Sequence, residues 1–360
     1  MTIRKIAILS DQPPYTGIGR FALELYQLMG PHFPGLRLVY AGYRDSTGFP
    51  QFYAPTYLHR SKISLTVPLD IWTNYQRLER LHELSGSSIH HCGGIFWLPR
   101  GTEESLATVH DLFPDRLPIS ALRSPRIVAD SSLRNVVNLV NHRLLARFSQ
   151  IASISAVTRD EVYRRVGRQS TVVYHWINEK LFRPREKHAA RERLGLPRNR
   201  KLILNVSSNR PSKNSERLGA IASRLPADYA LVRVGPRTSS ERILSFSGLP
   251  DDQYAQLFNA CDVYLHISSE EGFGRPLIES MGSKLPVISS DTPVSREILG
   301  RGAYFLKDAP SVESTVSDLR RFFREGWTGP VLEAARENQQ RFSSARAAAL
   351  YKDLYERTLT

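Results

Sequence analysis

The segment from Glu271 to Glu279 combines the residue types that can hold a phosphorylated sugar. It reads Glu-Gly-Phe-Gly-Arg-Pro-Leu-Ile-Glu and joins an apolar run typical of a strand to a run typical of a helix. Gly272 and Gly274 expose backbone N–H groups just before the helix N-terminus, where anions bind readily. Glu271 on the loop and Glu279 in the first helical turn can accept hydrogen bonds from hydroxyl groups. A carboxylate beside a phosphate is electrostatically costly unless it binds hydroxyls or a cation, so the segment predicts a site for phosphate and sugar together.

A polar loop earlier in the chain carries two cations that suit the same ligand. It spans residues 205–214, directly after a predicted strand, and contains Arg210 and Lys213. Two cations before a helix can clamp a diphosphate, and each charge-assisted hydrogen bond contributes about 1.5–3 kcal/mol. The alternative is a solvated basic loop without a ligand.

The first half of the chain offers two weaker candidates. Gly17 and Gly19 lie between a predicted strand and a predicted helix, where the backbone can approach a phosphate or a sugar oxygen. They do not complete the dinucleotide fingerprint G-x-G-x-x-G, and a plain tight turn is the alternative. His110 and Asp111 follow a short apolar run, at the strand edge where open α/β sheets bind ligands. His110 can donate to a sugar hydroxyl, and the alternative is a structural histidine followed by an aspartate cap.

The one candidate group of metal ligands in the sequence is His90, His91 and Cys92. Adjacent residues of a strand point to opposite faces, so the two histidines cannot both face one ion. The sequence therefore predicts no metal site.

Short apolar runs alternate with helical patterns along the chain, which indicates parallel sheets with crossover helices. In the first half the predicted elements are Arg4–Leu9, Phe21–Met29, Leu36–Tyr40, Ser88–His91, Ser105–Val109, Leu133–Phe148 and Ile151–Ile154. In the second half the predicted strands are Lys201–Val206, Leu231–Val234, Val263–Ile267 and Pro286–Ser289. The predicted helices there are Ser215–Arg224, Asp251–Asn259, Pro276–Met281, Ser311–Arg324 and Val331–Leu359.

A polar stretch broken by prolines near residues 178–200 separates the two halves. We predict two doubly wound, Rossmann-like domains that face a central cleft. The first spans residues 1–180 and the second 181–338, and residues 339–360 form a helix that packs back toward the first domain.

Composition narrows the class of protein. The chain has 360 residues, a net charge of +14 and two cysteines. The length fits two domains, and no apolar run approaches the roughly 18 residues that span a bilayer. The N-terminus predicts a strand and not a secretory signal, and two cysteines exclude a disulfide framework, which favours the cytoplasm. The basic residues are spread along the chain without a nucleic-acid motif, so no nucleic-acid partner is expected.

At residues 271–279 the sequence resembles the retaining, family 4-like glycosyltransferases of the GT-B fold, also called glycosyl transferases group 1. These enzymes carry a Glu-x7-Glu motif that begins Glu-Gly-Phe-Gly, and Glu271 to Glu279 has that spacing. Further similar stretches extend the resemblance over most of the chain, at residues 17–19, 154–160, 262–274 and 286–297.

The resemblance implies a hexosyltransferase that uses a UDP-, GDP- or ADP-sugar as donor. Glu279 would hold the nucleotide ribose, while Glu271 and the backbone of Gly272, Phe273 and Gly274 would contact the transferred sugar and the diphosphate. The acceptor would be a hydroxyl of a glycan, a lipid-linked molecule or a small molecule. It would attack from the front face with retention, and the leaving diphosphate would take its proton. No cofactor or metal is obligatory, because cationic side chains and helix N-termini supply the positive charge.

The resemblance also implies roles for the other candidates. Arg210 and Lys213 would neutralise the leaving diphosphate, and His110 would line the active site beside the reacting sugar. Gly17 and Gly19 would lie against the donor phosphates or the acceptor.

Three positions depart from the family pattern. Ser207 and Ser208 stand where the family usually has glycine followed by arginine, so Arg210 is displaced toward Lys213. Asn178 ends an atypical turn at the predicted domain junction, and Thr16 replaces a glycine of the first loop.

Two alternatives remain beside the transferase: a sugar-nucleotide epimerase with the same fold, and a non-catalytic module that binds glycans or membranes. A glycan phosphorylase would need a pyridoxal phosphate lysine and a larger chain. The predicted helix Leu133–Phe148 carries Arg134, Arg143 and Arg147. A basic amphipathic helix can lie on an anionic surface, so peripheral contact with the inner face of the membrane is a further hypothesis.

Overall fold

A computed structural model describes residues 5–10, 16–41, 52–54, 87–92, 104–112, 139–236, 240, 242–306, 311–326 and 329–360. The chain divides into two compact units. The first consists of Met1–Val173 and Ala348–Thr360, and the second of Tyr174–Ala347. The chain thus passes from one unit to the other at 173/174 and 347/348, whereas the sequence analysis placed the boundaries at 180/181 and 338/339.

The first unit contains a parallel sheet with seven strands in its described part. Its strand order is β3-β2-β1-β4-β5-β6-β7. The strands are β1 (Lys5–Ser10), β2 (Arg37–Ala41), β3 (Phe52–Ala54), β4 (Ser87–Cys92), β5 (Ser105–Val109), β6 (Gln150–Ser153) and β7 (Thr171–Val172). All neighbouring pairs are parallel, as the alternation of strand and helix patterns predicted.

Helices of the first unit cover both faces of this sheet. On one face, Leu145, Phe148 and Val162 pack with strand residues that include Leu9 and Val109. These side chains come from a helical segment at residues 139–145, the turn that follows it, and helix α2 (Ala156–Val166). The other face carries α1 (Gly17–Met29), whose Gly19 carbonyl accepts the Tyr40 hydroxyl, and the C-terminal helix. Thr16 caps α1 by accepting the Gly19 N–H at 3.1 Å, and Ser155 caps α2 in the same way.

A buried polar network joins the C-terminal helix of the chain to the sheet of the first unit. His90 on β4 is fully buried; its Nδ1 is hydrogen-bonded to the Tyr355 hydroxyl at 2.7 Å and its Nε2 to Thr108 Oγ1 at 2.8 Å. Thr108 is also hydrogen-bonded to the Tyr351 hydroxyl at 3.2 Å. Both ring nitrogens of His90 therefore have partners, which a buried imidazole requires. His90 is a structural histidine.

The second unit contains a parallel sheet whose described strands follow the order β10-β9-β8-β11-β12-β13. The strands are β8 (Lys201–Val206), β9 (Tyr229–Val234), β10 (Ile243–Phe246), β11 (Val263–His266), β12 (Val287–Ser289) and β13 (Tyr304–Phe305). The helices are α3 (Lys187–Arg193), α4 (Arg217–Arg224), α5 (Asp251–Ala260), α6 (Arg275–Gly282), α7 (Pro293–Leu299), α8 (Val312–Glu325) and α9 (Gly329–Gln339). One core, on the face that α4 and α8 cover, includes Ile203, Leu231 and Leu319.

The prediction of one helix over Val331–Leu359 is wrong. Helix α9 ends at Gln339, a 3₁₀ turn follows at Gln340–Phe342, and α10 (Ser344–Thr358) begins after the extended residue Ser343. Phe342 is buried against the rings of Tyr174 and Phe273, and its carbonyl accepts the Ile177 N–H at 2.9 Å. A continuous helix would use that carbonyl internally, so the tertiary contact breaks the helix.

Of the predicted helix Leu133–Phe148, residues 139–145 are helical and 146–148 are not, while 133–138 lie outside the described residues, as does Arg134.

Helix α7 and the edge strands β10 and β13 were not predicted, because each is short and carries little periodicity. In the part of the chain described, no helix is long and apolar enough to cross a membrane.

Replacing Tyr355 with phenylalanine tests the network around His90. The change leaves His90 Nδ1 buried without its partner, and we expect the free energy of unfolding to fall by about 1–3 kcal/mol. Urea denaturation followed by circular dichroism measures the difference. Tyr163→Phe is the control, because Tyr163 is 58% exposed. Equal stability of the two variants would show that the buried hydrogen bond contributes nothing.

Candidate functional site

The predicted site residues of the second unit follow two neighbouring strands of its sheet. Strands β8 and β11 pair in parallel, so their carboxyl ends lie at the same edge. The loop with Arg210 and Lys213 follows β8, and the loop with Glu271 follows β11. Ligands of open α/β sheets bind at this edge, outside the carboxyl ends of the strands.

Hydrogen bonds fasten the two loops to each other. The Ser269 N–H donates to the Ser212 carbonyl at 2.8 Å, and the Asn214 side-chain amide donates to the Ile267 carbonyl at 2.8 Å. Asn214 has φ of +50°, in the left-handed region that asparagine tolerates better than most residues. The loops are thus held as one surface.

Lys213 and Glu271 form an ion pair on this surface. The Lys213 ammonium donates to Glu271 Oε1, and the two side chains are 21% and 12% exposed. Burial by itself would raise the pKa of Glu271, but the Lys213 charge and the hydrogen bonds from Lys213 and Ser268 outweigh it and hold that pKa below its usual value. Glu271 is therefore a carboxylate at neutral pH. The structure brings together two of the residues that the sequence singled out.

Arg210 lies at the start of the same loop. It precedes the 3₁₀ turn Pro211–Lys213, and its backbone carbonyl accepts the Lys213 N–H at 2.9 Å. Arg210 is exposed, so its guanidinium is accessible to a ligand.

His266, at the end of β11, is a neighbour of Glu271 that the sequence analysis did not single out. It is 3% exposed, and its Nε2 lies 3.8 Å from Glu271 Oε1. Burial lowers the pKa of His266 to about 4, so the ring is neutral at physiological pH. Its Nε2 has no hydrogen-bond partner among the described residues. A histidine within a strand resembles a core residue in sequence, which is why the pattern gave no signal.

Phe273 anchors the glycine loop before α6. It is 3% exposed and packs against the rings of His175 at 4.8 Å, Phe342 at 5.9 Å and Tyr174 at 6.1 Å. Gly274 follows with φ of +82°, and a Cβ there would lie 2.9 Å from the Leu277 side chain. Glycine is favoured at this position because a residue with a side chain is strained at this backbone angle and its Cβ would displace the Leu277 methyl group. The loop is held at Phe273 and turned at Gly274.

Glu279 lies in the second turn of α6, not in the first turn as predicted. The helix begins at Arg275, because Gly274 still has left-handed backbone angles. Glu279 is 6% exposed and accepts a hydrogen bond from the Tyr254 hydroxyl at 2.6 Å. Burial and the neighbouring Glu279 raise the pKa of Tyr254 well above its usual value, so Tyr254 remains the donor. Tyr254 is thus a second neighbour of the candidate residues that the sequence did not indicate.

The candidates of the first unit occupy the carboxyl end of its own sheet. His110 follows β5, is 8% exposed and packs edge-on against the Phe21 ring at 4.8 Å. Gly17 and Gly19 lie in the first turn of α1, where the Gly19 N–H is donated to the Thr16 side chain. Residues 13–15 of the predicted glycine-rich loop lie outside the described residues.

The described residues contain no group of three or more His, Cys, Asp or Glu side chains that could hold a metal ion. His90, of the candidate ligands His90, His91 and Cys92, binds Thr108 and Tyr355 through both ring nitrogens.

Comparison with known proteins relates this chain to sugar-transferring enzymes. Residues 186–342 match the family model described as glycosyl transferases group 1. Over 293 residues the chain is 25% identical to the O-antigen chain mannosyltransferase RfbU of Salmonella typhimurium, which covers 79% of this chain and 80% of that protein.

Two solved structures share the fold over nearly the whole chain. Sucrose-phosphate synthase from Thermosynechococcus elongatus has a TM-score of 0.75 at 18% identity, covering 98% of this chain and 99% of that one. Anabaena HepE in complex with UDP-glucose has a TM-score of 0.68 at 17% identity, covering 97% of this chain and 98% of that one.

The low pKa of His266 predicts how stability depends on pH. The folded value of about 4 lies below the unfolded value of 6.5, so protons bind the unfolded state more tightly. Stability is fully present above pH 6.5 and falls as the pH drops toward 4, by about 2–4 kcal/mol at about 1.4 kcal/mol per pKa unit.

His266→Gln removes this titration, so its free energy of unfolding should change little between pH 6.5 and 4.5. Urea denaturation at stepped pH measures the slope, with the exposed His188→Gln as the matched control. A wild-type slope in the His266 variant would contradict the burial argument.

Proposed function

Because this chain is a group 1 glycosyltransferase with the GT-B fold, we propose that it transfers its sugar with retention of anomeric configuration to a hydroxyl acceptor. The observation that supports the donor half is the Lys213–Glu271 ion pair beside the glycine loop. The pair places a cation for the diphosphate and a carboxylate for sugar hydroxyls side by side, on two loops that hydrogen bonds hold together.

The donor roles follow from the contacts of each side chain. We propose that Glu279 accepts hydrogen bonds from the nucleotide ribose, with Tyr254 holding the carboxylate in place at 2.6 Å. Lys213 leaves Glu271 for the diphosphate when the donor binds, and Arg210 adds a second cation. Glu271 then accepts hydrogen bonds from the transferred sugar, while the backbone of Gly272, Phe273 and Gly274 adjoins the diphosphate at the N-terminus of α6.

The proposed reaction needs no protein nucleophile. The bond between the sugar C1 and the β-phosphate oxygen breaks while the acceptor oxygen bonds to C1 from the same face. The acceptor proton passes to the departing phosphate oxygen. Negative charge grows on the diphosphate in this step, so Lys213 and Arg210 stabilise the transition state more than the ground state. No metal is required for that neutralisation in this proposal.

Roles in the first unit are proposed with the same reasoning. His110, at the carboxyl end of β5, would donate to a hydroxyl of the reacting sugar. Gly17 and Gly19, in the first turn of α1, would lie against the donor phosphates or the acceptor. The Gly17 backbone is the better candidate for contact with the ligand, because the Gly19 N–H already donates to the Thr16 side chain.

The relatives point to classes of donor. HepE binds UDP-glucose, and RfbU is a mannosyltransferase. We propose a UDP-, GDP- or ADP-hexose as the donor, and a glycan, lipid-linked or small-molecule hydroxyl as the acceptor.

Turnover of nucleotide sugars tests the donor roles. UDP-, GDP- and ADP-sugars are supplied in turn and released nucleotide is measured. Lys213→Ala should lower kcat about 100-fold, because one charge stabiliser of the transition state is lost. Glu279→Ala should chiefly raise the donor KM, by about tenfold or more, because ribose binding is present in the ground state too.

Matched controls are the exposed residues Lys180→Ala and Glu333→Ala, which should behave as wild type. Wild-type kcat in Lys213→Ala would remove that residue from the reaction, and loss of activity in EDTA would overturn the metal-free mechanism.

Proton NMR of the product reports the anomeric configuration, so inversion would contradict retention. Formation of an epimerised nucleotide sugar without transfer would favour the epimerase alternative.

We further propose that a basic stripe on the first unit contacts an anionic membrane. Residues 139–145 are helical, and Leu139, Arg143 and Arg147 follow one another at intervals of four residues. Leu139 and Val140 are 52% and 50% exposed, and both arginines are exposed. Exposed apolar side chains beside cations are typical of a surface that binds anionic lipid. Such contact would place the protein peripherally on the inner face of a membrane, where lipid-linked acceptors lie.

Flotation with phosphatidylglycerol vesicles tests this contact, with phosphatidylcholine vesicles alongside. The double variant Arg143→Glu/Arg147→Glu should lose binding to the anionic vesicles. Each replacement removes an attraction of about 1 kcal/mol between the cation and the surface and adds a repulsive negative charge. Arg320→Glu/Arg324→Glu is the control, since it reverses two exposed arginines with the same spacing on α8. Equal flotation of both double variants would assign any binding to net charge alone.

A further inference from the structure

Arg233 is a buried cation at the edge of the sheet that carries the donor site. It is the last residue but one of β9, whose neighbour β8 leads into the loop with Arg210 and Lys213. Arg233 is 3% exposed, and its Nη2 donates to Asn209 Oδ1 at 2.7 Å. The guanidinium therefore touches the residue that directly precedes Arg210.

The surroundings of Arg233 do not balance its charge. Its Nε has no hydrogen-bond partner among the described residues, and no carboxylate of the described chain forms an ion pair with it. Burial lowers the pKa of Arg233, with no charged neighbour contributing. Asn209 is a neutral acceptor, so it satisfies one N–H without neutralising the cation.

Arg191 shows how the same unit treats a structural arginine. It is also 3% exposed. Its guanidinium donates to the carbonyls of Ala260, Arg198 and Arg200 and to the carboxylate of Asp262 at 2.7 Å. A buried charge is costly unless it is paired and hydrogen-bonded, and Arg191 meets both conditions. Arg233, equally buried, meets neither in full.

We propose that Arg233 completes the donor site as a third cation and binds the diphosphate. The parallel strands place the carboxyl ends of β8 and β9 side by side, and Asn209 links Arg233 to the loop of the other two cations. A planar guanidinium suits a phosphate, since two N–H groups can bind two oxygens of the group. The identity of the anion rests on the proposed function, whereas the need for an anion rests on the burial of Arg233.

A bracing role for Arg233 would give a different pattern. If the side chain only held Asn209 in place, removal of Arg233 and removal of the Asn209 amide would have the same effect on ligand binding. Loss of the arginine would also destabilise the fold, as for any structural side chain. An unbalanced cation behaves in the opposite way, because replacing it with a neutral group of similar length removes a desolvation cost.

The experiment uses inorganic pyrophosphate as the probe, because it carries the diphosphate without a base or a sugar. Binding is measured by isothermal titration calorimetry, and stability without ligand by thermal unfolding, for wild type, Arg233→Gln, Arg233→Lys and Asn209→Ala. Arg233→Gln should bind pyrophosphate about tenfold or more weakly while its Tm rises by about 2–4 °C. Arg233→Lys should fall between it and wild type, and Asn209→Ala should stay within about twofold of wild type.

Several results would overturn the proposal. These are wild-type affinity for pyrophosphate in Arg233→Gln, an equal loss in Asn209→Ala, and a Gln variant that is destabilised or does not fold. Turnover of nucleotide sugars separates this inference from the proposed function. Pyrophosphate binding through Arg233 without turnover would leave the anion site standing and remove the transferase mechanism. If the wild type turns over nucleotide sugars but Arg233→Gln binds pyrophosphate with wild-type affinity, only the role of Arg233 as a third cation is removed.

Discussion

A carboxylate that is taken out of water stays charged only where cations neutralise it, and Glu271 is such a carboxylate. Lys213 supplies the charge across two loops that follow neighbouring strands. The pair can form because parallel pairing brings the ends of β8 and β11 to one edge, and because backbone hydrogen bonds fasten the loops there. Under the proposed function, the same ion pair supplies a cation for the diphosphate and a carboxylate for the hydroxyls of the donor.

Chemically identical side chains serve different purposes here according to how fully their partners satisfy them. His90 has a partner at each ring nitrogen and fastens α10 to the first sheet. His266 is as buried but leaves Nε2 without a described partner beside Glu271. Arg191 is fully paired within the fold, and Arg233 is not. In both cases the incompletely satisfied member lies at the carboxyl edge of the second sheet, where an unmet charge or donor can act on a ligand at a cost to stability.

Sequence patterns predicted the elements that carry strong periodicity or apolar runs. Strands Ser105–Val109 and Lys201–Val206 were predicted with the bounds that the structure shows. Errors occurred where a tertiary contact overrides the local pattern. The last predicted helix is broken because Phe342 packs against the rings of Tyr174 and Phe273. Glu279 moves to the second turn because α6 begins at Arg275, one residue before the predicted start at Pro276.

The sequence by itself determined the fold class. It also singled out Glu271, Glu279, Lys213 and the glycine loop as candidates, because their types and spacing are local properties of the chain. Tertiary structure alone decided which side chains join them. His266 and Arg233 lie within strands, and Tyr254 lies on a helix that precedes the motif by many residues. Each looks like an ordinary core or surface residue along the chain. Strand pairing and helix packing bring them to the site, and only burial reveals which of them carry an unmet charge or hydrogen bond.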